Sequence, residues 1–198
     1  MIARLPPLLQ SPAMAKTPST RSTTVLLVRR DGRACMASDG QVTLGDTVIK
    51  RGAAKLRRAK GDVVVGFAGG AADGLALFTR LEAKLEEFSG NLERAVVELA
   101  KDWRTDRALR QLQAQMIVCD RKSSFFLSGA GDLMQPDEDG VLAVGSGSNF
   151  AMAAARALVR HTDLPARRIV EEAMAIAAEI CIYTNDRLSI EELAENGD

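Results

Sequence analysis

A threonine at the head of a chain carries both halves of a hydrolytic device, because its hydroxyl is a nucleophile and its α-amine a base. Thr23-Thr24, set before the apolar run Val25-Leu26-Leu27-Val28, stands where loss of residues 1–22 would create such a terminus. An α-amine titrates near 7.7–8.0, so at neutral pH a useful fraction is free to take the hydroxyl proton. No histidine is needed, and the chain has one, His161. Thr-Thr-Val is equally the start of an ordinary β-strand. The choice between the two readings rests on what surrounds the pair.

Four local groups bear on it. Asp39 precedes Gly40 at the end of a second strand, which a hairpin returns to the start of the first, beside Thr23; an aspartate before glycine is also a plain turn signal. Lys55, in Lys55-Leu56-Arg57-Arg58, can lower the pKa of a nearby hydroxyl, with a carboxylate such as Asp39 orienting it. A solvated, aggregation-resistant strand edge is the simpler account of the same basic run. Gly66-Phe67-Ala68-Gly69-Gly70 lies at a strand-to-helix junction, where bare N–H groups can face developing negative charge as an oxyanion hole. It lacks the lysine and hydroxyl residue that close a phosphate loop. In Gly145-Ser146-Gly147-Ser148, Ser148 reads as a helix N-cap and Ser146 as the candidate for proton relay. With no G-x-S-x-G elbow and His161 at a polar helix end, a serine–histidine hydrolase is disfavoured.

The elements that must position these groups follow from pattern. Strands are expected at Thr24–Arg30, with Asp31-Gly32 as a hairpin turn, at 34–38, over 41–50 with a break at Gly45-Asp46, and at 62–67, where Val63, Val64 and Val65 make a strand buried on both faces. Helices follow: one over 72–88, with Leu75, Phe78, Leu81 and Leu85 at helical spacing, and one capped by Asn91 and running through Trp103 to Leu109. Strands return at 114–120, 124–128 and 142–145, then helices at 149–160 and 166–183, with Asp163 a cap candidate and Pro165 in the first turn. Strands, two helices, strands, two helices is the order of an α+β protein, a four-layer αββα sandwich.

Bulk properties narrow the function. Lys+Arg and Asp+Glu are equal at 26 each, which leaves no basic field for nucleic acid. Cys35, Cys119 and Cys181 are far apart, without C-x-x-C spacing, and read as buried apolar residues of a reduced protein. No apolar run reaches the roughly 18 residues that span a bilayer. Residues 1–22 carry prolines, no acid, and the basic Arg4, Lys16 and Arg21, so they read as a removable leader ahead of one domain at 23–198. The expected location is the cytoplasm; an organelle transit peptide is the alternative, and Met14 offers a later start.

Taken together, Thr23-Thr24, 39–45, Lys55 with Arg57-Arg58, 66–70, 100–107, 145–147, 153–158, 180–185 and 190–193 resemble the HslV (ClpQ) family of bacterial proteasome-like peptidases. The resemblance runs in consistent order from Thr23 to about Leu193. It implies the N-terminal nucleophile hydrolase fold, two stacked hexameric rings, and activation by an HslU-type AAA+ ATPase that delivers unfolded proteins and uses ATP, no nucleotide being bound by this chain. By matching motif, it assigns Thr23 as nucleophile and base, Lys55 as the group that lowers its pKa, Asp39 as the carboxylate orienting Lys55, and Ser146 as a partner of the amine. It gives the oxyanion donor to Gly69, with Gly70 beside it, and substrate-backbone pairing to the segment of Thr43. It also implies a structural sodium ion on the backbone carbonyls of Ala178, Cys181 and Thr184, which leaves the Cys181 thiol uninvolved.

The chain departs from that pattern at its leader, at Ser38 and Ala178 where glycine is usual, and at Ser148-Asn149-Phe150. Two other classes share parts of it. A catalytically inactive ring subunit would lack Thr23, Asp39 and Lys55; a free-standing threonine amidohydrolase would act on small amides without an unfoldase.

Overall fold

The computed structural model describes residues 20–21, 23–107, 109–112 and 114–194. Most of the expected leader, and Met14, lie outside these residues. In chain order the strands and helices are β1 (Thr20–Arg21), β2 (Thr24–Arg30), β3 (Arg33–Ser38), β4 (Val42–Leu44), β5 (Thr47–Lys50), β6 (Leu56–Ala59), β7 (Val63–Gly69), α1 (Ala71–Glu87) and α2 (Leu92–Thr105). Then come β8 (Ala114–Cys119), β9 (Ser124–Ser128), β10 (Leu133–Met134), β11 (Val141–Gly145), α3 (Ser148–His161), α4 (Ala166–Ile180) and β12 (Ser189–Ala194).

Two antiparallel sheets lie face to face, one ordered β11-β2-β3-β12 and the other β10-β9-β8-β7-β6. Side chains alternate across a strand, so a strand buried on both faces feeds two cores. In β2, Leu26 and Val28 join Cys35 and Ala37 against α3 and α4, while Val25 and Leu27 join Met36, Val64 and Ile117 between the sheets. In β7 and β8, Val65, Met116 and Val118 face the other way, onto Leu77, Leu81, Leu99 and Trp103 of α1 and α2. Three cores between four layers give the αββα sandwich.

Several local expectations are corrected. Helix α3 is capped by Gly147, and Ser148 is its first helical residue without a capping bond. Pro165 occupies the N-cap of α4 and Asp163 does not cap it. Helix α2 ends at Thr105, and Leu109 reaches the core from a separate 3-10 turn. Helix α4 stops at Ile180, short of Tyr183. Strand β12 was not expected: Ser-Ile-Glu-Glu-Leu-Ala is poor in β-formers, yet it pairs with β3 from Ser189↔Ser38 to Ala194↔Arg33 and buries Leu193. Asn91 does cap α2, accepting from Arg94 N at 3.0 Å.

A third, small sheet sets the scene for the site. The hairpin β4–β5 carries on its outer side the two residues of β1, paired antiparallel as Thr20↔Leu44 and Arg21↔Thr43. Thr20 and Arg21 thus lie along the strand that holds Thr43.

Candidate active site

The β2–β3 hairpin brings Asp39 to the start of β2. Asp31-Gly32 makes its turn with both residues at positive φ, 52° and 70°, the twist that a two-residue hairpin favours. Register Val25↔Ser38 then leaves Asp39 opposite Thr24: Asp39 N donates to Thr24 O at 3.1 Å, and Thr24 N donates to Asp39 Oδ1 at 2.7 Å.

Asp39 is wholly buried, and Lys55 Nζ lies 2.8 Å from its Oδ1. The ammonium also donates to Gln41 O at 2.6 Å, and Gln41 N donates to Asp39 Oδ2 at 2.9 Å. A buried lysine is tolerable only when paired in this way. Burial pushes the Lys55 pKa below the usual lysine value, and the charge and hydrogen bond of Asp39 act against that shift.

Thr23, Lys55 and Gly69 line one cavity of about 360 Å³, whose remaining walls include Val42, Ala53, Ala54, Ala71, Ala72 and Leu75. Gly69 ends β7 exposed at φ 119°, a conformation suited to glycine. Gly70 follows as the N-cap of α1, so N–H groups at a helix start lie beside the threonine.

On the other flank Ser146 N donates to Thr23 O at 2.9 Å. The approach depends on Gly145, at φ 98°, where a Cβ would fall 1.9 Å from that same oxygen. Ser146 is exposed, next to the threonine but on the neighbouring pocket with Phe150 and Cys181. Thr23 itself is buried and held at φ 113°, strained for a β-branched residue. That angle exists only while residue 22 is attached.

The remaining residues of the expected set lie around this centre. Thr43 is buried on β4, its hydroxyl accepting from Gln41 Nε2 at 3.1 Å. Cys181 caps α4, donating to Ala177 O at 2.9 Å, and its own carbonyl accepts from Thr184 N at 3.0 Å. Thr184 also does what its residue type alone did not announce: its hydroxyl meets that of Thr24 at 2.7 Å. Thr24, Gln41 and Asn185 were missed as supporting residues, since their roles arise from contacts across more than 100 positions, as with Gln41 Nε2 to Ile182 O at 2.8 Å. All three cysteines are buried as expected, and burial pushes the thiols of Cys35 and Cys119 up to about 12.

The proteasome subunit family model matches residues 19–193. The chain belongs to the proteasome family, on its HslV branch. The ATP-dependent protease subunit HslV of Pseudothermotoga lettingae is 59% identical over 174 residues, covering 87% of this chain and 98% of that protein. The namesake in Aquifex aeolicus gives the same figures. The crystal structure of HslV from Trypanosoma brucei superposes with a TM-score of 0.83 at 46% identity, over 86% of this chain and 99% of that one. A Thiobacillus denitrificans structure named BPH, at 20% identity and TM-score 0.68, shares the fold. This HslV-branch chain is therefore a protease subunit of the N-terminal threonine type, and the αββα sandwich is that of the family.

Proposed function

We propose that the mature chain begins at Thr23 and is the proteolytic subunit of an ATP-dependent protease, fed with unfolded proteins by an HslU-type AAA+ ATPase. The observation that carries the residue roles is the buried Lys55–Asp39 pair on the cavity shared by Thr23 and Gly69.

In this reading the freed α-amine of Thr23 takes the proton from its own Oγ1, and Oγ1 attacks the substrate carbonyl carbon. The charge of Lys55 favours the ionised hydroxyl, and Asp39 holds Lys55 in place. The carbonyl oxygen becomes an oxyanion facing the N–H of Gly69, with Gly70 beside it. As the C–N bond breaks, the ammonium of Thr23 returns the proton to the leaving amine, leaving an ester on Oγ1. Water, deprotonated by the same amine, then hydrolyses the ester and restores the threonine. Ser146 keeps the amine in register.

The pairing of β1 with β4 supports an antiparallel track for substrate backbone along Thr43. The apolar walls of the cavity favour an apolar side chain before the cleaved bond. The last helical bond of α4 ends on Ala177 O, which leaves the carbonyls that follow, including Ala178, at the negative end of the helix dipole. Such a donor set fits sodium, held by the carbonyls of Ala178, Cys181 and Thr184 as a structural ion. The assembly proposed is two stacked hexameric rings in the cytoplasm, which sequester Thr23.

Intact mass of purified active enzyme should place the first residue at Thr23, and Thr23→Ala should abolish casein degradation while leaving the particle assembled. Degradation should require both the ATPase and ATP. Full activity in a chain that keeps Ser22 would reject the mechanism, and small-amide hydrolysis indifferent to a bound ATPase would favour the free-standing amidohydrolase.

A further inference from the structure

The segment after α4 reaches back into the site through one side chain. Asn185 lies half-buried between the turn that ends β3 and the loop that leads to β6. Its Oδ1 accepts from Gly40 N at 3.1 Å and from Arg187 N at 3.2 Å, and its Nδ2 donates to Arg51 O at 3.0 Å. Its backbone N–H extends to Asp39 Oδ2 at 3.4 Å. The same two stretches are tied once directly, by Ala53 N to Gly40 O at 2.9 Å. They fit so closely that a Cβ on Gly40 would meet Arg51 O at 2.5 Å.

One stretch carries Asp39 and the other leads within four positions to Lys55. A lysine reaches a carboxylate through a flexible four-carbon stem, so the 2.8 Å contact stays fixed only where both backbone origins are fixed. Only a group that both accepts and donates can bridge an N–H on one stretch and a carbonyl on the other, and a side-chain amide does so.

We infer that Asn185 is a positioning residue for the Lys55–Asp39 pair, setting the geometry in which Lys55 acts on Thr23. The inference rests on the mechanism proposed above. Asn185 touches no reacting atom; it acts through the two stretches it joins.

The test uses the assembled protease with its ATPase and a fluorogenic peptide, with active sites counted by titration with a peptide vinyl sulfone. Asn185→Ala should lower kcat per titrated site by about tenfold with KM changed less than about twofold, and slow the vinyl sulfone's inactivation rate in parallel. Gly40→Ala, which forces the same stretches apart, should give the same loss, and the double variant should lose little more than either. A merely structural residue would lower the melting temperature and the number of active sites while leaving kcat per site intact; that result, or a loss confined to KM, overturns the inference. Should Asn185→Ala fail to assemble, Asn185→Asp keeps the acceptor for Gly40 and sets a charged acceptor in place of the donor to Arg51 O. It should show a smaller fall in kcat alone, and unchanged kcat in it overturns the inference. Lys55→Ala run beside these separates the failures, since full turnover there overturns the underlying mechanism.

Discussion

The hydroxyl of Thr24 lies 2.7 Å from that of Thr184, joining the residue after the proposed nucleophile to the segment that follows α4. Both are buried, and Thr24 Oγ1 also accepts from Gly147 N at 2.9 Å. Thr24→Val keeps the shape and deletes the oxygen, which leaves a buried N–H and a buried hydroxyl unmet. The expected cost is about 1–3 kcal/mol, read as a lower denaturation midpoint. Equal stability of the variant and the parent would show that the contact contributes nothing.

Gly147 should tolerate no side chain, because a Cβ there would stand 2.5 Å from both hydroxyls. Gly147→Ala is expected to lose stability and to pull Ser146 off Thr23. Thermal melts and peptide turnover measure the two effects, and wild-type values in both would refute the close fit.

Lys55→Met and Asp39→Asn should each lower turnover by orders of magnitude with little change in assembly. Since the two act as one unit, the double variant should be hardly worse than the poorer single one. Losses that multiply would dissolve the proposed coupling.

Burial lowers the Lys55 pKa from 10.5. In the proposed mechanism turnover needs its charge, so activity should fall with rising pH before an ordinary lysine would titrate. Stability runs the other way. Between the lowered folded pKa and 10.5 the folded state binds fewer protons at Lys55 than the unfolded state, so this residue's contribution to stability rises with pH across that window. Comparing wild type with Lys55→Met in matched buffers isolates both trends, and identical pH profiles would contradict them.

Cys35 and Cys119, buried with thiols raised to about 12, should resist iodoacetamide at pH 8 until the protein unfolds. Mass spectrometry of native and denatured samples reads this directly. Rapid native labelling at either would contradict their burial.

The layered fold was legible because the patterns that specify it are local: alternating apolar strands, helical spacing in α1 and α2, turn dipeptides at Asp31-Gly32 and Gly45-Asp46. Thr23, Asp39, Lys55 and the segment 66–70 stood out as candidates at strand ends and a strand-to-helix junction. Each has an ordinary structural reading there, and the roles, with the choice of Gly69, came from the family resemblance. Strand β12 was not legible, since pairing with β3 outweighs its weak propensity. Nor was the cap of α3, where Gly147 displaces Ser148 because the space beside Thr24 and Thr184 admits no Cβ. The bonds of Thr24, Gln41 and Asn185 depend on chain segments that only the closed sandwich brings together.

The two residues of β1 occupy one side of β4, and β5 occupies the other. Were the leader removed as proposed, Thr43 and Leu44 of β4 would lose their partners Arg21 and Thr20, leaving an unpaired strand edge. Such an edge recognises what every polypeptide has, its main chain, and it engages only where that main chain is not already bonded to itself. A native helix or sheet offers it nothing. Discrimination at such an edge would therefore be between conformational states, with sequence entering only through the side-chain cavity beside it.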